Sequence, residues 1–124
     1  CENAFYSYYI EDDIAGIIEI DINNKSSTHI QSLVVYPKFF RQGIGKSLVQ
    51  FVFDKYKSKI FSVETGLANQ PAINLYSAFG FEEVKKWNTD HNIRKIRFHK
   101  ILFGFIISIN DFFVIEKNQF IINF

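Results

Sequence analysis

Six residues between two differently patterned stretches constrain this 124-residue chain most: Arg41-Gln42-Gly43-Ile44-Gly45-Lys46. Ahead of them, His29 to Tyr36 (HIQSLVVY) is a β-branched and aromatic run that stops at Pro37, as a strand does. Behind them, Ile44, Leu48, Val49, Phe51, Val52 and Tyr56 fall on one face of a helix expected from about Gly45 to Lys57. A glycine loop that joins a strand to a helix gathers free backbone N–H groups and the positive end of a helix dipole around one point. That point attracts an anion, and a pyrophosphate suits it. Gly43 permits backbone angles closed to other residues, Gly45 lets a ligand approach the main chain, and Arg41 and Lys46 add positive charge. The competing reading is a strand-to-helix turn that uses its glycines for geometry alone.

The rest of the chain arranges itself around this junction. FYSYYI and IAGIIEIDI, between Phe5 and Ile22, flank the acidic turn Glu11-Asp12-Asp13 as a hairpin would. Ile60 to Thr65 reads as a strand, and a second helix follows with Asn69 or Gln70 as cap, Pro71 at its first position and Gly80 beyond its last turn. Ile73, Tyr76 and Phe79 share one face of that helix. Phe81 to Trp87 and Ile93 to Lys100 read as two further strands, giving the order β-β-β-α-β-α-β-β. The expected fold class is α/β, with a central mixed sheet and flanking helices in one domain over residues 1–100. A hydrophobic content of 48% is enough to fill one core.

Residues 101–124 differ in character, holding 6 of the 15 Phe residues. Ser108, Asn110 and Asp111 interrupt the stretch well short of the ~20 apolar residues a bilayer span requires, so no membrane span is expected. Asn110-Asp111 between IISI and FFVI resembles a hairpin turn; an appended segment foreign to the domain is the alternative. An exposed Ile/Phe-rich tail favours self-association, a homodimer included.

Fourteen basic against thirteen acidic residues leave a net charge of +1, which marks no nucleic-acid partner. The lone Cys1 forms no internal disulfide and completes no metal site with His29, His91 or His99, so no metal is expected and a reducing cytoplasm fits. A chain that opens at Cys1 and contains no Met is expected to lack its true beginning.

Two familiar phosphate loops fail on single letters. A dinucleotide fingerprint needs Gly where Leu48 stands, and a P-loop ending in Gly45-Lys46-Ser47 needs Gly where Phe40 stands. VVYPKFFRQGIGKSL instead resembles the acetyl-CoA signature of the GCN5-related N-acetyltransferase (GNAT) superfamily, Q/R-x-x-G-x-G/A after a strand that ends near a proline. Gly43 and Gly45 match, and Phe40 departs from the first position. ETGLANQPAINLYSAFGF is similar to the second signature, N-x-x-A-x-x-L-Y-x-x-x-G-F, at Asn69, Ala72, Leu75, Tyr76, Gly80 and Phe81. The resemblance covers roughly residues 5–100 and points to an N-terminally incomplete member, similar to the ribosomal-protein N-terminal acetyltransferases.

The resemblance implies acetyl-CoA as cosubstrate and acetyl transfer to a primary amine by direct attack on the thioester. It implies that backbone groups of Leu33, Val34 and Val35 bond the pantetheine arm, and that the loop Arg41, Gln42, Gly43, Ile44, Gly45 and Lys46 holds the pyrophosphate. Asn69 matches a residue that contacts the coenzyme near its sulfur; the plain alternative is a helix cap. Tyr76 matches the tyrosine assigned as general acid to that sulfur, against an aromatic packed in the core. Glu64 matches a glutamate base in members with a ribosomal-protein acceptor, with Glu19 in reserve. The acceptor is a small molecule or a protein or peptide N-terminus. Two readings from other classes compete: a module that binds acetyl-CoA without turnover, and a nucleotide-binding protein that uses Gly45-Lys46-Ser47.

Overall fold

The computed structural model describes residues 3–23, 26–101 and 121–123. Strands β1 (Asn3–Ile10) and β2 (Asp13–Asp21) form the expected hairpin around Glu11-Asp12, and β3 (Ser27–Val35) pairs antiparallel with β2. Pro37 ends β3 by opening a single 3-10 turn, Pro37–Phe39. Helix α1 (Ile44–Lys55) returns the chain to β4 (Ile60–Gly66), which lies parallel to β3. Helix α2 (Gln70–Ala78) then leads to the antiparallel strands β5 (Glu82–Asn88) and β6 (Arg94–Ile101). A short β7 (Ile121–Asn123) adds to the outer edge of β1. The mixed sheet runs β5-β6-β4-β3-β2-β1-β7. The Asn110-Asp111 turn expected from the sequence lies outside the described residues. No helix among the described residues is long and apolar enough to cross a membrane.

Strand alternation fixes what each face of the sheet carries. Ile18, Ile20, Ile30, Phe61, Val63, Ile96 and Phe98 are buried, and both helices pack on this apolar face. From α1, Phe53 meets Phe61 edge to face at 4.8 Å and reaches Phe79 and Phe81. From α2, Tyr76 meets Phe81 and Phe98. The buried stripe of α1 is Ile44, Leu48, Val49, Val52 and Phe53. Phe53, which the periodicity did not include, therefore belongs to the stripe, and Phe51, which it did include, is half-buried with its ring to one side against Tyr6 at 4.7 Å. The buried residues span about half the circumference of the helix, with Ile44 at one edge and Phe53 at the other, and Phe51 lies just beyond Ile44. The opposite face carries Asp21, His29, Ser62, Glu64, Arg97 and His99 in register across β2, β3, β4 and β6. No described helix covers it.

Candidate functional site

The parallel pair at the centre of the sheet separates partway along its length. β3 and β4 pair from Ser27 opposite Ile60 to Ile30 opposite Val63 and no further, although both strands continue. The cause lies on the other edge of β3. Ile20 faces Ile30 and Glu19 faces Ser32, so Gln31 is an extra residue, a β-bulge that bends and twists the strand. The bend comes directly after the last parallel pair, and Gln31 to Val35 diverge from Glu64 to Gly66.

Which backbone groups enter this opening follows from the ladder between β2 and β3. Tyr36 N–H donates to Ala15 O at 2.9 Å. In an antiparallel ladder, hydrogen-bonded and non-bonded pairs alternate, so Val34 directs its peptide groups to Ile17. Leu33 and Val35, in the intervening non-bonded pairs, direct theirs toward the opening. Of the three residues proposed from the sequence, two thus present free backbone there, while Val34 exposes its side chain on the helix-free face, 45% accessible.

The glycine loop lies at the C-terminal end of the same strand. Gly43 stands at the cap position of α1 with φ +76°, a left-handed conformation that glycine adopts without strain, and a β-carbon there would meet nothing within 4 Å. Arg41 is also left-handed, φ +65°. Helix α1 has no side-chain cap and no acidic residue in its first turn. Its first internal bond is Ser47 N–H to Gly43 O, 3.0 Å, so the N–H groups of Ile44, Gly45 and Lys46 have no acceptor within the helix. Arg41, Gln42 and Lys46 are exposed around these donors. Ile44 offers only its N–H, because its side chain is buried. A β-carbon on Gly45 would lie 3.3 Å from Leu75 Cδ2, which ties the loop to α2 as well as leaving the backbone bare.

Helix α2 is capped where α1 is open. Asn69 Oδ1 accepts from Ala72 N–H at 3.2 Å, while Nδ2 donates no hydrogen bond among the described residues. Tyr76 is 3% accessible; burial holds its phenol well above the usual tyrosine range, so it keeps its proton at neutral pH. The C-terminal end of α2 is satisfied by Lys100, whose Nζ donates to Phe79 O at 2.6 Å, and burial lowers its pKa.

Glu64 lies on the helix-free face, one residue past the last β3–β4 pair, and its Oε2 accepts from Arg97 Nη1. Arg97 Nε donates to His99 Nε2 at 3.0 Å. Beside them, His29 Nδ1 and Ser62 Oγ are 2.8 Å apart, and Asp21, Asn23, Ser27, His29, Ser62 and Arg97 line a cavity of about 340 Å³. Burial, reinforced by Arg97, lowers the pKa of both His29 and His99. Arg97, His99 and His29 were not singled out from the sequence. The cue available was the alternation of Arg97 and His99 on one face of their strand.

Residues 1–81 match the profile of the Acetyltransferase (GNAT) family. An N-alpha-acetyltransferase of Sulfurisphaera tokodaii is 38% identical over 99 residues, covering 68% of this chain and 59% of that protein. UPF0157 protein YqkA of Bacillus subtilis is 37% identical over 82 residues, 65% of this chain and 24% of that protein. The chain therefore spans about three fifths of the length of the first of these relatives and about a quarter of the second. A Bacillus subtilis acetyltransferase solved in complex with CoA superposes with a TM-score of 0.69 at 19% identity, over 80% of this chain and 76% of that one. A profile match over more than half the chain, on the strand, loop and helices just described, establishes that the chain belongs to the GNAT acetyltransferase family.

Proposed function

We propose that the chain transfers the acetyl group of acetyl-CoA to a primary amine, and that the acceptor is the α-amino group of a protein or peptide. The observation that carries this reading is the conjunction of an opened parallel strand pair with an uncapped helix N-terminus at the end of the same strand. The N-alpha-acetyltransferase relative supports the acceptor class. The catalytic unit is residues 1–100, to whose sheet the C-terminal extension adds the edge strand β7, working in a reducing cytoplasm.

Acetyl-CoA, when bound, supplies an activated thioester. The amides of Gly43 to Lys46, with Arg41 and Lys46, are suited to its pyrophosphate, and the free peptide groups of Leu33 and Val35 to the amides of its pantetheine arm. Asn69 Nδ2 is a further donor. Glu64 accepts a proton from the incoming ammonium, directly or through water, and Tyr76 holds a proton for the departing thiolate. Acid and base thus work from opposite faces of the sheet.

Calorimetric titration with acetyl-CoA, followed by an assay on a peptide with a free N-terminus, tests the reading. Micromolar binding by the wild-type chain, weakened at least ~10-fold in Gly43→Asp by an added anion at the phosphate site, and acetylation lost when the peptide N-terminus is blocked, are expected. A folded wild-type chain that binds no acetyl-CoA would overturn it.

A further inference from the structure

The helix-free face holds one arrangement that the scheme above does not use. Arg97 stands directly across β4–β6 from Glu64 and makes two bonds with one planar guanidinium: Nη1 to Glu64 Oε2, and Nε to His99 Nε2. Glu64 Oε1 accepts no hydrogen bond among the described residues. The pair is more than a quarter exposed on both sides, 28% and 29%, and solvent screening weakens what a pair so placed contributes to folding. Stability alone thus gives little reason for it. For Nε2 to accept from Arg97, His99 must carry its proton on Nδ1, and its burial beside a guanidinium keeps the ring neutral. A lysine in this place would keep the charge but would lose the rigid fork that reaches both partners at once.

We propose that Arg97 is a positioning residue for the acceptor half of the reaction: braced by His99, it fixes one oxygen of Glu64 beside the strand opening and leaves the other oxygen to the incoming ammonium. The role rests on the proposed function, since it acts only through Glu64.

The test is a double-mutant cycle on the full chain, with kcat/KM measured for a free N-terminal peptide and KM measured separately for acetyl-CoA. Loss of a general base costs about 10²–10⁴-fold, so Glu64→Gln is expected to fall in that range. Arg97→Gln should lose ~10-fold or more, Arg97→Lys should recover part of this, and KM for acetyl-CoA should not move. In the Glu64→Gln background, Arg97→Gln should change kcat/KM less than about twofold, because residues that act as a unit are not additive. Independent, multiplicative losses, or a KM for acetyl-CoA that rises with them, overturn the positioning role alone. A wild-type chain that binds acetyl-CoA but acetylates no amine overturns the proposed function and this role together.

Discussion

Single residues divide into those whose letter announces their conformation and those whose partner lies far along the chain. Gly43 is of the first kind: its left-handed backbone was expected, and the space around it is open. Gly43→Ala should therefore cost only the strain of that conformation, about 1–2 kcal/mol, seen as a lower urea midpoint with unchanged m-value. A larger loss would mean that the loop packs more tightly than its geometry indicates. Arg97 is of the second kind, because nothing near it in sequence points to Glu64, 33 residues away. His29 gives a prediction of its own. Its folded pKa lies below the unfolded value near 6.5, so the unfolded chain binds the proton first as pH falls. Stability is then full above about pH 6.5, declines below it, and levels off beneath the folded value. His99 acts in the same direction. Urea midpoints at pH 5 should be lower than at pH 7.5, with the difference reduced in His29→Gln; an unchanged difference would remove His29 from the account.

The two helices illustrate what an element reveals about itself. The start of α2 was readable because capping is written within four residues, Asn69 to Ala72. That bond also allows the two readings of Asn69 to be separated. Asn69→Ala should lose ~1 kcal/mol of stability by removing the cap, whereas Asn69→Ser keeps a capping oxygen but no amide. If Asn69→Ser holds its melting temperature and binds acetyl-CoA several-fold more weakly, the amide contacts the coenzyme; equal affinity leaves Asn69 as a cap only. The buried stripe of α1 was read less well: Phe51, seven residues on from Ile44, falls close to its side of the helix, whereas Phe53, nine residues on, falls about half a turn away, and its burial depends on Phe61 on the facing strand. The bulge at Gln31 has no signature in β3 at all. It exists as a relation between two strands, which a reading of either one alone cannot reveal.

At the scale of the molecule, the order of strands and helices was legible because periodicity, Pro37, Pro71 and the glycines mark nearly every boundary. The faces were not, since the side on which a helix packs depends on crossover handedness and on the facing strand. Phe53 joins α1 to β4 and, through Phe79 and Phe81, to the end of α2. Phe53→Ala should consequently cost about 3–5 kcal/mol, measured by chemical denaturation, and should loosen both helices together in hydrogen exchange. Protection lost in α1 only would show that the helices are held independently.

Placing α1 and α2 on the same side turns the sheet into a partition one strand thick. Under the proposed function, each reagent has its own antechamber and the two meet only through the gap between β3 and β4. Neither then stands in the other's doorway, so the architecture imposes no queue: either substrate can arrive first and either product can leave first. Steady-state velocities should give intersecting lines, with each product inhibiting competitively against its own substrate, the pattern of two independent entrances to one room.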